Sequence, residues 1–215
     1  MRDVRVESWN ELQDALFAES WVEEIGRFRS RYAYRGLADA SYRLATTLSR
    51  LGGNYASLEK HLLRNFRKYA HRNVVQRDSV WHWLSVAQHY GLPTRLMDWT
   101  YSPFAALHFA TADLDRFDRD GVIWGVNYLA THHLVPDRLR DRLDLEGANV
   151  FTVEMLSEEV RSLAELDSLC ETPFALFFEP PSIDDRIVNQ FAFFSMISDP
   201  RIALDDWLAG QPQLY

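Results

Sequence analysis

Apolar residues recur at helical spacing through the first half of the chain. Leu12, Ala15 and Leu16 follow Ser8 and Glu11, a capping box that predicts an amphipathic N-terminal helix. Leu58, Leu62, Phe66 and Tyr69 or Ala70 predict a second helix, with Ser57 as its cap. Asp78 or Ser79 can cap a third, carrying Trp81, Trp83, Leu84 and Ala87. Gly91 ends it by taking the left-handed conformation, and Pro93 forbids continuation. Ser102 and Pro103 then restart a helix as cap and first helical residue, through Ala105, Ala106, Leu107, Phe109 and Ala110. Thr94 to Asp98 is therefore expected to be a short polar connection, held rigidly between two apolar helices.

Period-two and short apolar runs mark the strands. Arg31 to Gly36 reads as a strand ending at a turn glycine, and Val122 to Tyr128 as another after an Asp120-Gly121 turn. Val150 to Met155 is a further strand candidate, followed by a helix starting at Ser157-Glu158-Glu159 and running through Val160, Leu163 and Leu166. Phe174 to Phe178 and Phe191 to Ile197 are Phe-rich runs of strand length, suited to burial on both faces. Helices thus dominate the first half and strands the second, an order that predicts an α+β fold and not a repeating βαβ sheet.

A hydrophobic content of 47% over 215 residues supports a substantial core, and no linker, low-complexity tract or repeat divides the chain, so one domain spanning 1–215 is expected. The single cysteine, Cys170, allows no internal disulfide, and no signal peptide or bilayer-length apolar run is visible. A cytoplasmic location and no membrane partner are the expectation.

The net charge of −8 argues against a protein that coats nucleic acid nonspecifically. It hides an asymmetry: from Arg27 to Arg77 the balance is +10, leaving −18 for the rest. That basic segment either complements the acidic C-terminal half or forms a phosphate-binding wall, in which Arg27, Arg29, Arg31, Arg35, Arg43 and Arg50 alternate with Phe28, Tyr32, Tyr34 and Tyr42.

Several catalytic signatures are excluded by spacing: the chain has no Gly-x-Gly-x-x-Gly, no Gly-Lys-Ser/Thr phosphate loop, no Gly-x-Ser-x-Gly and no His-Glu-x-x-His. No cluster with metal-ligand spacing stands out, and no metal is expected. The chemistry is concentrated elsewhere, in Gln88-His89-Tyr90-Gly91-Leu92-Pro93-Thr94-Arg95-Leu96-Met97-Asp98-Trp99-Thr100. Arg35, at a strand end before Gly36, can present a planar fork to a phosphate or carboxylate, or pair with Asp39 or an acidic residue from the other half of the chain. Arg95 and Asp98, three apart, either pair with each other or meet a ligand. His89 is a candidate acid or base, or a donor to the last helix carbonyls. Gln88 can orient a ligand amide or a loop carbonyl, and Trp81, Trp83 and Trp99 are read as core before stacking platform.

The stretch from Gln88 to Thr100, Tyr34-Arg35-Gly36, and Arg186-Ile187-Val188-Asn189-Gln190 with Phe193 together resemble the motifs of the FRG domain family, over roughly Val6 to Ser195. Two departures stand out. Ala192 replaces a glycine usual after the late Gln, and the segment that commonly follows in the family is expected to be absent or replaced before Tyr215. The layout is also similar to that of ADP-ribosyltransferases, which bind NAD in the cleft of a split sheet without a Rossmann turn. That similarity implies a small split mixed or antiparallel sheet and NAD as cofactor. It implies a cleft lined by Tyr34, Arg35, Gln88, His89, Thr94, Arg95, Asp98 and Gln190, with Arg35, His89 and Gln190 nearest the chemistry. Gln190 would stand where many such enzymes have Glu, an amide dipole in place of a charge, and Glu179 is a candidate replacement. The implied role is a nucleotide-binding enzyme with a protein or RNA acceptor, acting as a bacterial toxin or antiviral effector. The competing role is a non-catalytic sensing or nucleic-acid-binding module.

Overall fold

The computed structural model describes residues 3–18, 20–70, 78–182 and 192–215. Helix α1 is Trp9–Phe17, and its start is the expected cap, with Glu11 N–H donating to Ser8 Oγ at 3.2 Å. A small hairpin follows, β1 (Trp21–Val22) against β2 (Arg27–Phe28). Then come β3 (Tyr32–Leu37), α2 (Tyr55–Tyr69), α3 (Val80–His89), β4 (Met97–Thr100), α4 (Pro103–Thr111) and β5 (Val122–Asn127). The second half adds α5 (Tyr128–His132), α6 (Asp137–Glu146), β6 (Phe151–Thr152), α7 (Val153–Glu159), α8 (Leu163–Asp167), β7 (Ala175–Glu179), β8 (Ala192–Ile197) and α9 (Leu204–Ala209). The fold is α+β, with helices continuing through the second half between the strands.

Six strands form one mixed sheet in the order β5-β3-β4-β8-β7-β6, in which only the β6 and β7 pair is parallel. Alternation along β7 and β8 feeds two cores. Leu176, Phe178, Phe194 and Met196 face α3, α6 and α7 through Trp81, Leu84, Leu139 and Leu156. Ala175, Phe177, Phe193 and Ile197 face α5 and α9 through Tyr128, Leu204 and Leu208. Both faces are covered, which is why these strands read as unbroken apolar runs. Trp81, Trp83 and Trp99 are all core residues, and Trp99 also donates its indole N–H to Ser195 Oγ at 2.7 Å.

Three expectations are corrected. Met97–Thr100 is a strand in the middle of the sheet and not loop, so Asp98 belongs to a strand. Its alternation is only four residues long and lies between two strong helix signals, which masks it. In α2 the cap position falls to Asn54, and Ser57 lies in the first turn. The buried face there is Glu59 and Leu63 instead of Leu58 and Leu62, because Glu59 is drawn inward by Arg95. Finally, Val150 to Met155 contributes only Phe151–Thr152 as strand; Thr152 caps α7, which ends at Glu159, and Ser162 caps α8 separately.

Candidate functional site

The site lies at the seam between β3 and β4. β3 stays in register with β5 along its full length, from Tyr32↔Asn127 to Leu37↔Val122. Against β4 it has a single ladder pair, Tyr34↔Thr100. Continuing that register would set Gly36 opposite Asp98, but the ladder is not made there. The strands part on this side, and the gap is bridged by a side chain: Arg35 Nη1 donates to the main-chain oxygen of Asp98 at 2.6 Å.

Gly36 lets a helix close one face of the seam. A Cβ built on it would lie 1.8 Å from the Ala106 carbonyl oxygen of α4, so only hydrogen fits. Alternation sends Tyr34 to the same face as Gly36, where it is buried and its hydroxyl donates to the Leu16 carbonyl at 2.8 Å. Tyr34 therefore anchors α1, while its neighbour Arg35 serves the seam.

Arg35 has unusual surroundings for an arginine. Its Nε is buried and has no hydrogen-bond partner among the described residues, which also place no carboxylate within ion-pair distance of it. The anticipated Arg35–Asp39 pair is not formed, since Asp39 is bound by Arg119 at 2.7 Å and Arg116 at 3.5 Å. Burial pulls the Arg35 guanidinium below the ordinary arginine range; the Asp98 charge opposes this, and nearby Arg50 adds to it. Arg50 also has no ion pair among the described residues.

Arg50 is brought here by the signature segment itself. Leu48 N–H donates to the Thr94 carbonyl at 3.1 Å, and Thr94 N–H donates to Thr47 Oγ1 at 3.2 Å. These bonds tie the turn Ser49–Leu51 to Thr94, just before β4. Of the basic segment read from the sequence, Arg43 turns away to Asp205 and Asp206, so internal complementarity accounts for part of that charge.

The end of α3 delivers the amide. Leu92 N–H reaches back to the Ala87 carbonyl and Gly91 N–H to the Gln88 carbonyl, with Gly91 at φ 80°, a Schellman stop of the kind its glycine predicts. Gln88, in the last turn, donates from Nε2 to Asp98 Oδ2 at 3.0 Å and accepts the Thr94 hydroxyl proton at 2.5 Å. His89 is the last residue of α3, half-buried, with its ring edge-on to Tyr90 at 5.2 Å.

Arg95 points the other way. It does not pair with Asp98; its Nε and Nη2 engage Glu59, and its Nη1 engages Asp167 at 2.5 Å and the Ser198 carbonyl at 3.1 Å. Arg95 and Glu59 are 4% and 3% exposed, so this is an internal clamp joining α2, α8 and the end of β8. Burial alone would pull the Arg95 guanidinium down, and the two carboxylates more than reverse it. Glu59 escaped the sequence reading because a lone glutamate within a helical pattern carries no sign that its partner lies 36 positions away.

Gln190 lies outside the described residues. Glu179 falls in the sheet row of Arg35 by register, but β4 and β8 separate them, a spacing of about 14 Å at ordinary strand separation. Its carboxylate accepts the Tyr101 hydroxyl at 3.0 Å, and burial together with that neighbouring charge drives the Tyr101 pKa well above the usual tyrosine range. Glu179 thus does not take up a position beside Arg35. One pocket elsewhere is lined by Thr46, Met97, Ile197, Pro200 and Leu204, and its only charged group, Arg95, is already engaged. The seam, where the Arg35 Nε lacks a partner among the described residues, is the better candidate. Among the described residues no group of His, Cys, Asp or Glu is arranged to hold a metal. No helix among them is long and apolar enough to cross a membrane.

Comparison with known proteins finds no match among curated proteins and none among solved structures. A family model described as FRG domain does match, over residues 30–119, which takes in β3, the Arg50 turn, the Gln88 to Thr100 stretch and α4. Residues 30–119 of the chain are thus similar to the FRG domain family.

Proposed function

We propose that the β3–β4 seam binds a phosphate-bearing nucleotide, with NAD as the leading ligand, and that the chain is an ADP-ribosyltransferase-like enzyme of the toxin or antiviral-effector kind. One observation carries this reading: Arg35 is a cationic fork at the β3–β4 seam that makes no ion pair with a described carboxylate, and Arg50 lies near enough for its charge to act on it. The Arg50 charge acts against that of Arg35, and a diphosphate offsets this repulsion. Strands that part within the sheet also suit a dinucleotide in a chain without a Gly-rich turn. In this reading Arg35 and Arg50 hold the phosphates, Asp98 and Gln88 line the ribose side, and His89 supplies an acid or base. Thr94 and Arg95 act through their neighbours, by bracing Gln88 and the strand.

The second reading is a module that senses the same ligand without turnover. It is favoured by Glu179, whose carboxylate is held by Tyr101 and lies away from Arg35. Gln190 distinguishes the two, because an amide supports a developing positive ribose less than a carboxylate does. For the enzyme, nicotinamide release from NAD is retained or raised in Gln190→Glu and reduced in Gln190→Ala, with protein and RNA supplied as acceptors. Bound NAD with no release from any of the three forms establishes the sensing module.

A further inference from the structure

The seam contains a hydrogen-bond chain whose direction is determined by its buried end. Leu96 N–H donates to Thr94 Oγ1 at 3.1 Å, so the Thr94 hydroxyl proton is left to go outward. It goes to Gln88 Oε1, which leaves the amide nitrogen of Gln88 facing Asp98 Oδ2 at 3.0 Å. Thr94 is 1% exposed and Asp98 lies at the surface, so the chain runs from the core to the mouth of the seam. The result is one carboxylate oxygen held in place and a second, Asp98 Oδ1, with no partner among the described residues. Arg35 meets the same residue from the other side through its main-chain oxygen at 2.6 Å.

An anion site beside a fixed, unpartnered acceptor matches one ligand chemistry. The ligand must bear a phosphate for the arginines and a hydroxyl to donate to the carboxylate, as a ribose phosphate does. A bare polyanion such as inorganic pyrophosphate would bind the arginines and leave Asp98 repelling it. We infer that Asp98 Oδ1 accepts a ribose hydroxyl of the nucleotide, and that Gln88 and Thr94 are positioning residues that hold Asp98 in the accepting rotamer. This selects sugar-bearing phosphates over free ones, and it rests on the nucleotide reading of the seam.

The test is titration calorimetry of ADP-ribose and of inorganic pyrophosphate into the whole chain, with thermal melting of every variant. Asp98→Asn is expected to weaken ADP-ribose by about tenfold or more, since a charge-assisted hydrogen bond is lost, and to leave pyrophosphate equal or tighter. Thr94→Val should weaken ADP-ribose in the same direction, and Thr94→Ser, which keeps the hydroxyl, should restore it without changing pyrophosphate. Loss in Thr94→Val with no rescue by Thr94→Ser overturns the positioning chain. ADP-ribose binding that needs Arg35 but is unchanged in Asp98→Asn overturns the inference and leaves the nucleotide reading standing. No binding of ADP-ribose by the wild type overturns both.

Discussion

Arg35 reaches across to the neighbouring strand and donates to the main-chain oxygen of Asp98 at 2.6 Å, at the place where a ladder bond between β3 and β4 is missing. One guanidinium thus does two things. It bridges the gap between the two strands, and its buried Nε has no hydrogen-bond partner among the described residues. An orphaned buried donor costs about 1–3 kcal/mol. The remaining parts of the seam depend on its scaffold, and that scaffold makes separable predictions.

Arg95 belongs to the scaffold. Arg95→Met leaves Glu59 charged and buried, and the expected loss is about 3–5 kcal/mol in urea unfolding. Arg95→Met combined with Glu59→Leu should recover much of it, because the uncompensated charge is gone. A loss below about 1 kcal/mol for the single variant would show that the clamp is not structural.

Gly36 has the same kind of role through space instead of charge. Gly36→Ala brings a methyl to within 1.8 Å of the Ala106 carbonyl unless α4 moves. Overpacking of this sort costs about 1–3 kcal/mol, so the melting temperature should fall by several degrees. Gly91→Ala, with open space around its Cβ, should be limited to the strain of its φ of 80°.

His132 predicts a pH dependence. Its Nε2 accepts Phe177 N–H at 3.0 Å and its Nδ1 meets the Asn149 carbonyl at 3.0 Å, an arrangement that needs the neutral ring with the proton on Nδ1. Burial pushes its pKa down from 6.5 to about 4. The unfolded chain therefore binds the extra proton first. The stabilisation is complete above about pH 6.5 and is lost as the pH falls to about 4, amounting to about 3 kcal/mol. His132→Gln can keep both hydrogen bonds, and its stability should be flatter across that interval. Parallel profiles for the two proteins, measured by denaturant unfolding from pH 4 to 8, would remove His132 as the cause.

Much of this architecture was legible in local signals. Ser8, Ser79, Ser102 and Gly91 mark helix ends where capping and left-handed turns occur, and the Phe-rich runs mark strands buried on both faces. What stayed hidden depended on partners distant in sequence. Met97 to Thr100 looks like a connection until β8 and β3 lie on either side of it. Arg95 and Asp98 look like a pair at three residues' spacing, yet Arg95 lies before β4 and is taken by the buried Glu59, while Asp98 sits within the strand at the surface. The site showed the same division. Gln88, Thr94 and Asp98 share one stretch and could be grouped at once, whereas the tie of the Arg50 turn to that stretch needed Leu48 and Thr47 to be bonded to Thr94.

The central claim is that Arg35 clamps the phosphates of a nucleotide at the seam. Titration calorimetry of NAD into the wild type and Arg35→Lys, with melting curves of both, tests it most directly. An ammonium keeps the charge but not the planar fork, so Arg35→Lys should bind NAD at least about tenfold more weakly at an unchanged melting temperature. Equal affinity in the two proteins, or no binding of NAD by the wild type, would contradict the account.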